Sequence, residues 1–280
     1  MNLQQMLDTA QTAALEAGQI LLSHYGKLKS FEINQKSKND FVTKVDKLSE
    51  KTIIRRIRRQ YPNHSIQAEE SGITAGNETC WIIDPLDGTS NYIHQFPMFS
   101  VSIGILHEGQ LCAGVVYDPL HREMFSALRG KGAFLNRRRI HVSKTRKLAD
   151  SLMSTGIPFR ARYRFQQYFR SLKAISLGSA GIRRGGSAAL DLAYVACGRF
   201  DGFWEINLSP WDVAAGAVLI REAGGRISDF WGGQNFLTSG DILAANGQIY
   251  KELKTITSSL FKKPSVAQAA KGVSKILADR

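Results

Sequence analysis

Hydrophobic residues near the N-terminus recur every three or four positions over 3–21, and the pattern stops at Gly26. This spacing predicts an amphipathic helix that ends at the glycine. A second helix is predicted over 46–61, because Pro62 cannot continue it. The same spacing predicts further helices at 161–175, 187–197, 211–223 and 248–262.

Short β-type runs follow the second predicted helix. They lie at 65–68, 81–83, 99–106, 111–117 and 123–127. Turn signals at Glu108-Gly109 and Asp118-Pro119 join successive runs, so the middle of the chain predicts a largely antiparallel sheet. In the second half, strand patterns alternate with the predicted helices, which indicates an α/β arrangement. These strands are predicted at 152–155, 200–206, 225–229 and 242–246.

The chain shows no low-complexity linker and no internal repeat, so all 280 residues are expected to form one domain. Its α+β half covers about 1–145 and its α/β half about 146–262, followed by a Lys- and Ala-rich tail at 263–280. Apolar residues make up 43% of the chain and charged residues 22%. This composition supports a globular core and excludes the disordered, collagen-like and coiled-coil classes.

Several protein classes are disfavoured by what the sequence lacks. The apolar stretches are far shorter than the roughly 18 residues of a membrane helix, and no basic region precedes an apolar stretch at the N-terminus. Cys80, Cys112 and Cys197 are widely spaced and odd in number, which fits neither a disulfide framework nor a zinc cluster. We therefore expect a cytoplasmic protein that does not bind membranes.

The positive charge is concentrated in one segment. The whole chain has 37 Lys and Arg against 24 Asp and Glu, a formal net charge of +13. Residues 121–184 hold 16 of these basic residues and only two acidic ones, Glu123 and Asp150. Such a surface either solubilises the protein and steers small phosphorylated substrates, or it contacts nucleic acid or a nucleoprotein.

Acidic residues form four clusters, each where a predicted strand or turn ends. A fold can direct side chains from such positions toward a common site. The clusters lie at 40–46, 69–71, 84–91 and 211–216.

The third cluster has the clearest chemistry. The strand at 81–83 leads to Asp84, and Pro85 predicts a turn that brings Asp87 back toward Asp84. The two carboxylates and the Leu86 carbonyl can then face one cation, and the N–H groups of Gly88 and the following Thr89 can hold a phosphate oxygen.

Each cluster also has a purely structural alternative. The third can be an Asx turn in which Asp87 caps a helix. Glu69 can be a solvated strand end, Asp212 can cap the alanine-rich helix that it begins, and Asp46 can follow an extended loop as part of a capped helix. Their joint occurrence favours a shared site.

Four carboxylates together favour a hard divalent cation. Glu69, Asp84, Asp87 and Asp212 carry four negative charges, and a phosphomonoester adds about two more. About two to three Mg²⁺ ions would offset that charge, and Mg²⁺ prefers oxygen ligands. The sequence has no Cys or His cluster for zinc, no Gly-x-x-x-x-Gly-Lys loop and no Gly-x-Ser-x-Gly motif, so an activated water is the expected nucleophile.

The strings at 40–46, 69–71, 81–91 and 211–216 resemble the inositol monophosphatase family. The likeness extends over most of the chain and is nearest to the bacterial branch, which includes an enterobacterial antitermination (Nus-type) factor. It implies a layered αβαβα sandwich, combining α+β and α/β parts, that pairs as a homodimer, depends on Mg²⁺ and is sensitive to lithium.

The resemblance also implies roles for individual residues. The implied metal ligands are Glu69, Asp84, the Leu86 carbonyl, Asp87 and Asp212. The implied catalytic residues are Asp46 and Thr89, which orient the attacking water, together with Glu69. The implied substrate contacts are Lys36, Gly88, Thr89, Ser90, Gly186, Ser187, Ala188, Glu205 and Asp212.

The expected activity is hydrolysis of inositol 1-phosphate or a related polyol phosphomonoester. Two alternatives stay open at this point. One is a bisphosphate nucleotidase or fructose bisphosphatase of the same superfamily, since the metal motifs are shared. The other is a transcription antitermination factor that binds RNA polymerase or RNA through the basic segment 121–184.

Overall fold

The structure is a computed structural model that describes residues 2–29, 32–37, 40–159 and 161–262. The helices are α1 (Leu3–His24), α2 (Lys44–Gln60), α3 (Thr89–Ile93), α4 (Phe165–Gly178), α5 (Ala188–Ala196), α6 (Pro210–Glu222), α7 (Phe236–Ser239) and α8 (Tyr250–Leu260). The strands are β1 (Ile33–Ser37), β2 (Asp40–Thr43), β3 (Ser65–Ala68), β4 (Gly72–Thr74), β5 (Thr79–Asp87), β6 (Ser100–His107), β7 (Gln110–Asp118), β8 (Glu123–Leu128), β9 (Gly132–Leu135), β10 (Arg138–Ile140), β11 (Leu152–Thr155), β12 (Gly181–Arg183), β13 (Gly202–Glu205), β14 (Arg226–Ser228) and β15 (Ile242–Ala245).

Within the described residues, the strands form two main sheets and one hairpin. The eight-stranded sheet has the order β10-β9-β8-β7-β6-β5-β3-β4, and all of its pairings are antiparallel except β3 with β5. The predicted antiparallel sheet is thereby confirmed. The five-stranded sheet has the order β12-β11-β13-β15-β14 and mixes parallel and antiparallel pairs. The hairpin pairs β1 with β2.

The sheets and helices stack in five layers, which confirms the αβαβα sandwich. Helices α1 and α2 pack on one face of the eight-stranded sheet, and α5 and α6 lie between the two sheets. Helices α4 and α8 pack against each other, and α8 contacts the five-stranded sheet. Three separate hydrophobic clusters fill the spaces between successive layers.

The side chains of the central strand β6 alternate between the two faces of the eight-stranded sheet. Val101, Ile103 and Ile105 are fully buried and join the cluster under α1 and α2. On the opposite face, Gly104 leaves room for α6, because a Cβ there would lie 2.6 Å from the Cβ of Ala214. This close approach brings the first turn of α6, which carries Asp212, down onto the sheet.

Some predicted boundaries need correction. The helix predicted at 161–175 begins at Phe165, after a 3-10 turn at Arg162–Arg164, and continues to Gly178. The short elements β1, β2, β4, β9, β10, β12 and α7 were not predicted as elements of their own. A helix at the position of α3 was considered only in the reading in which Asp87 caps a helix. The predicted tail at 263–280 and residues 38–39 lie outside the described residues. In the part of the chain that is described, no helix is both long and apolar enough to cross a membrane.

Candidate metal-binding active site

Asp84 and Asp87 are brought together by a bulge in β5. The prediction of a strand that ends at Ile83 and a turn at Pro85 is wrong, since β5 continues to Asp87. Asp84 pairs with Ser102 of β6 and Asp87 with Ser100, so β5 has one more residue than its partner over this stretch. Such a bulge re-aims side chains, and here both carboxylates point to one place.

Asp212 reaches the same place from the first turn of α6. Its Oδ2 accepts the backbone N–H of Ser209 at 2.7 Å, which caps the helix. One oxygen from each of Asp84, Asp87 and Asp212 lies within 4.8 Å of the others, and this is the one such group found among the described residues. The sequence prediction that these three residues converge agrees with the structure.

The three carboxylates are held at high electrostatic cost. Burial raises the pKa of Asp84 well above its usual value, and Glu69, Asp87 and Asp212 raise it further. Burial also raises the pKa of Asp87, with Asp212 adding to the effect. A divalent cation would remove this repulsion, and an all-oxygen donor set is the one that suits Mg²⁺.

Asp87 is also anchored from the neighbouring helix. The Ser187 hydroxyl donates to Asp87 Oδ2 at 2.5 Å, and the N–H of Ala189 donates to the same oxygen at 2.8 Å. Ser187 therefore touches the predicted metal ligand and also caps α5, since its Oγ accepts the N–H of Leu190 at 3.4 Å. The start of α5 fixes the orientation of this carboxylate.

Asp46 and Thr89 are paired as expected. The Thr89 hydroxyl lies 3.1 Å from Asp46 Oδ1 and 3.1 Å from the Leu86 carbonyl, and it can donate to either. The other oxygen of Asp46 accepts the N–H and the hydroxyl of Thr43, at 2.8 and 2.6 Å. Burial raises the pKa of Asp46. Asp46 thus takes part in the cap of α2, which was the structural alternative, and also reaches the site.

Glu69 lies at the edge of this cluster. It directly follows β3, and its N–H donates to the Ile83 carbonyl at 3.1 Å. It is near enough to raise the pKa of Asp84. Its carboxylate is not a member of the three-residue group described above. The structure therefore places Glu69 beside the three aspartates and not among them.

A cleft of about 410 Å³ opens beside the aspartates, a volume suited to a small ligand. It brings together nine of the predicted site residues: Asp87, Gly88, Thr89, Ser90, Gly186, Ser187, Ala188, Glu205 and Asp212. Sequence reasoning did not assign the remaining lining residues to the site: Phe41, Gly156, Ile157, Pro158, Phe159, Arg184, Asp191, Ile206, Asn207 and Leu208. The predicted contact Lys36 lies on β1, and its side chain is outside the described part of the structure.

Two buried polar residues on α2 support the site and were missed. The Ser49 hydroxyl donates to the Pro85 carbonyl at 2.8 Å, and Glu50 Oε2 accepts the N–H of Glu70 at 2.8 Å. Both side chains are buried. They follow Asp46 by three and four positions, the spacing that places residues on one helix face. That spacing is the signal that could have found them.

The chain is similar to known proteins over most of its length. The sequence profile of the inositol monophosphatase family matches residues 2–262. The Nus factor SuhB of Pseudomonas aeruginosa is 45% identical over 259 residues, which cover 90% of this chain and 96% of the relative. The extragenic suppressor protein suhB from Bartonella henselae has a TM-score of 0.88 at 39% identity, covering 91% of this chain and 98% of that one. The inositol monophosphatase from Anabaena has a TM-score of 0.82 at 43% identity, covering 95% and 99%.

Proposed function

The chain belongs to the inositol monophosphatase family, and from this membership we propose that it is a Mg²⁺-dependent phosphatase of inositol 1-phosphate or a related polyol phosphomonoester. The observation that carries the proposal is the convergence of Asp84, Asp87 and Asp212, with oxygens within 4.8 Å of one another, at the edge of a cleft. Buried carboxylates this close need positive charge between them.

The residues that would hold Mg²⁺ are these three aspartates, the Leu86 carbonyl and Glu69. When bound, about two to three Mg²⁺ ions would supply the charge that offsets the substrate phosphate and would lower the pKa of the attacking water. The bulge in β5, the start of α5 and the cap of α6 each hold one of the aspartates in place. The ligands are therefore preorganised by backbone contacts.

Thr89 and Asp46 orient the water and take its proton. The Thr89 hydroxyl can accept a proton from the water while it donates its own to Asp46 Oδ1, 3.1 Å away. Burial raises the pKa of Asp46, which makes this carboxylate a better proton acceptor. The water oxygen then bonds to phosphorus as the ester P–O bond breaks, and the leaving alkoxide takes a proton from solvent.

The cleft offers contacts for both the phosphate and the alcohol of the substrate. Gly88, Thr89 and Ser90 line it directly after Asp87 and would contact the phosphate. Glu205 also lines the cleft and would accept hydrogen bonds from hydroxyl groups of the alcohol. Gly186 and Ala188 flank Ser187 at the start of α5 and complete the contact surface.

A phosphate-release assay tests this proposal. Inositol 1-phosphate, an adenosine bisphosphate and fructose bisphosphate are compared with Mg²⁺, without Mg²⁺ and with added Li⁺. We expect Mg²⁺-dependent release that is fastest from inositol 1-phosphate and is inhibited by Li⁺. Preference for the adenosine bisphosphate would instead support a nucleotidase, and no release from any substrate would refute a phosphatase.

A second function is favoured by the names of the relatives and by the basic segment. The relative from Pseudomonas aeruginosa is named a Nus factor, and we infer that this chain also binds the transcription antitermination machinery. Arg137, Arg138 and Arg139 support this, since all three are exposed at the β9–β10 hairpin on the edge of the eight-stranded sheet. Clustered arginines favour phosphate backbones or acidic protein surfaces.

A further inference from the structure

Asp191 is a buried carboxylate with an unsatisfied oxygen in the wall of the cleft. It lies in the first turn of α5 and is 1% exposed. Its Oδ1 is one of three buried side-chain N or O atoms without a hydrogen-bond partner in the described part of the chain. An unpaired buried carboxylate is costly, so such an atom calls for a partner that is absent from the protein itself.

The surroundings of Asp191 are those of the substrate cleft. Asp191 lines the same cleft as Glu205, Asp87 and Arg184. Burial raises its pKa well above the usual value, and the nearby Glu205 and Asp87 raise it further, whereas Arg184 lowers it. Asp191 is therefore close to the proposed hydroxyl acceptor Glu205 and to the metal ligand Asp87 at once.

The backbone approaches Asp191 Oδ1 closely at Gly185. Gly185 lies beside this oxygen, and a Cβ at that position would be 3.1 Å from it. The Glu205 carboxylate is accommodated in a similar way, because it occupies the space in which a Cβ of Gly156 would lie. Two carboxylates, each close to a glycine, thus line the cleft.

We propose that Asp191 is a specificity-determining residue that hydrogen-bonds a second hydroxyl of the substrate, beside the one bound by Glu205. The cleft is then built for an alcohol with at least two hydroxyl groups near the phosphate, as in a cyclitol phosphate. This inference rests on the proposed phosphatase function. Asp191, which lies on α5 outside the sequence motifs, would then help to select the class of substrate.

The test compares two substrates that differ only in hydroxyl groups. Inositol 1-phosphate and cyclohexyl phosphate have the same six-membered ring, but the second lacks ring hydroxyls. In Asp191→Leu, which has similar volume and no acceptor, we expect kcat/KM for inositol 1-phosphate to fall by about 10- to 100-fold. The value for cyclohexyl phosphate should stay within about twofold of the wild type, since it never used the hydrogen bond.

Asp191→Asn is the matched control. Its amide oxygen still accepts a hydrogen bond, so kcat/KM for inositol 1-phosphate should stay within about threefold of wild type. If Asp191→Leu does not fold, Asp191→Ala makes the same comparison, because it removes both oxygens without adding bulk.

The outcomes separate this inference from the function it rests on. Equal losses for both substrates, or no loss for either, would overturn the role of Asp191 while leaving the phosphatase intact. Wild-type protein that releases no phosphate from either substrate in Mg²⁺ would overturn both.

Discussion

Asp46 and Asp212 each serve the fold and the site with different oxygens. Asp46 Oδ2 accepts the N–H of Thr43 at the start of α2, while its Oδ1 meets Thr89. Asp212 Oδ2 accepts the N–H of Ser209, and Asp212 also joins the acidic group. A capping bond fixes the rotamer of the side chain, so the site gains oriented carboxylates at no further entropic cost.

Asp84→Asn separates stability from activity. Burial raises the pKa of Asp84, and three nearby carboxylates raise it further. Asparagine removes the charge of Asp84 while keeping the size and the carbonyl that accepts the N–H of Leu86. Measured in EDTA by thermal unfolding, the variant should melt above the wild type, by about 2–4 °C for each kcal/mol of relieved repulsion.

In saturating Mg²⁺, kcat of the same variant should fall by about a hundredfold or more. Mutating a residue that only hydrogen-bonds to a metal ligand already lowers metal affinity or activity by about 10- to 100-fold, and Asp84 is a proposed ligand itself. Asp8→Asn, on the exposed face of α1, is the control and should change neither quantity. Near-normal turnover of Asp84→Asn would contradict the metal assignment.

Gly156→Ala tests the placement of Glu205. A Cβ at this position would lie 2.1 Å from Glu205 Oε1 in its present place, so the carboxylate must move. We expect KM for inositol 1-phosphate to rise by about tenfold, with little change for cyclohexyl phosphate. Gly247→Ala is the matched control, because a Cβ there meets nothing within 4 Å. Equal effects of Gly156→Ala on both substrates would show a general distortion of the cleft.

At the scale of elements, α2 is the support of the site. One face of this helix carries Asp46, Ser49 and Glu50, and these contact three separate segments, at Thr89, Pro85 and Glu70. All three side chains are buried although they are polar. Their hydrogen bonds explain why they are inside.

Glu50→Ala should therefore weaken metal binding without touching a ligand. The N–H of Glu70 loses its acceptor, and the turn that carries Glu69 is no longer held. Titration of Mg²⁺ by calorimetry should show an affinity lower by about fivefold, the equivalent of one hydrogen bond. Glu50→Gln keeps an acceptor oxygen and should bind Mg²⁺ as the wild type does. An equal loss of Mg²⁺ affinity in Glu50→Gln would contradict the idea that Glu50 acts by holding the turn of Glu69.

His64 makes the junction of α2, β3 and β5 sensitive to acid. Its Nδ1 accepts the indole N–H of Trp81 at 3.0 Å, and its ring stacks on Tyr61. Burial lowers the pKa of His64. The unfolded chain therefore binds a proton more readily, and the stability contributed by the neutral ring is present above about pH 6.5 and lost as the pH falls below it.

Denaturant unfolding at pH 7 and pH 5 measures this effect. His64→Gln should show a smaller loss of unfolding free energy between the two pH values than the wild type. His94→Gln, which changes a histidine outside the junction, should behave as the wild type. If His64→Gln lost as much unfolding free energy between pH 7 and pH 5 as the wild type, His64 would not be the source of the acid sensitivity.

The sequence was informative where local pattern decides structure. Strands β3 and β11 were predicted at their observed positions, because a short β-branched or apolar run between turns depends little on its partners. The end of β5 was predicted wrongly, since the bulge at Asp84 and Asp87 is set by pairing with β6. Asp191 was missed because its burial depends on packing between layers, which no local pattern reports.

At the scale of the molecule, the charge is divided between two regions. The three site aspartates form an acidic group of two buried residues and one partly buried residue, whereas the segment 121–184 holds the positive excess. Arg184 belongs to that segment and lines the cleft, so the basic region reaches the proposed substrate site. A basic protein around an acidic centre attracts phosphate esters from a distance.

Charge reversal of the β9–β10 hairpin tests the second function. In Arg137→Glu/Arg138→Glu/Arg139→Glu we expect reduced pull-down of RNA polymerase with antitermination factors, and the reduction should shrink as salt rises. Phosphate release should be unchanged, because none of these residues lines the cleft. Arg55→Glu/Arg59→Glu, on the exposed side of α2, is the charge control. Undiminished pull-down by the hairpin variant would exclude this surface.

The proposed activity depends on Asp84, Asp87 and Asp212 holding divalent metal beside the cleft. Crystals grown with Mn²⁺ in place of Mg²⁺ test it most directly, since manganese accepts the same oxygen ligands and gives an anomalous signal. We expect anomalous density within coordination distance of all three carboxylates. Anomalous density elsewhere on the protein, with none between these aspartates, would contradict it.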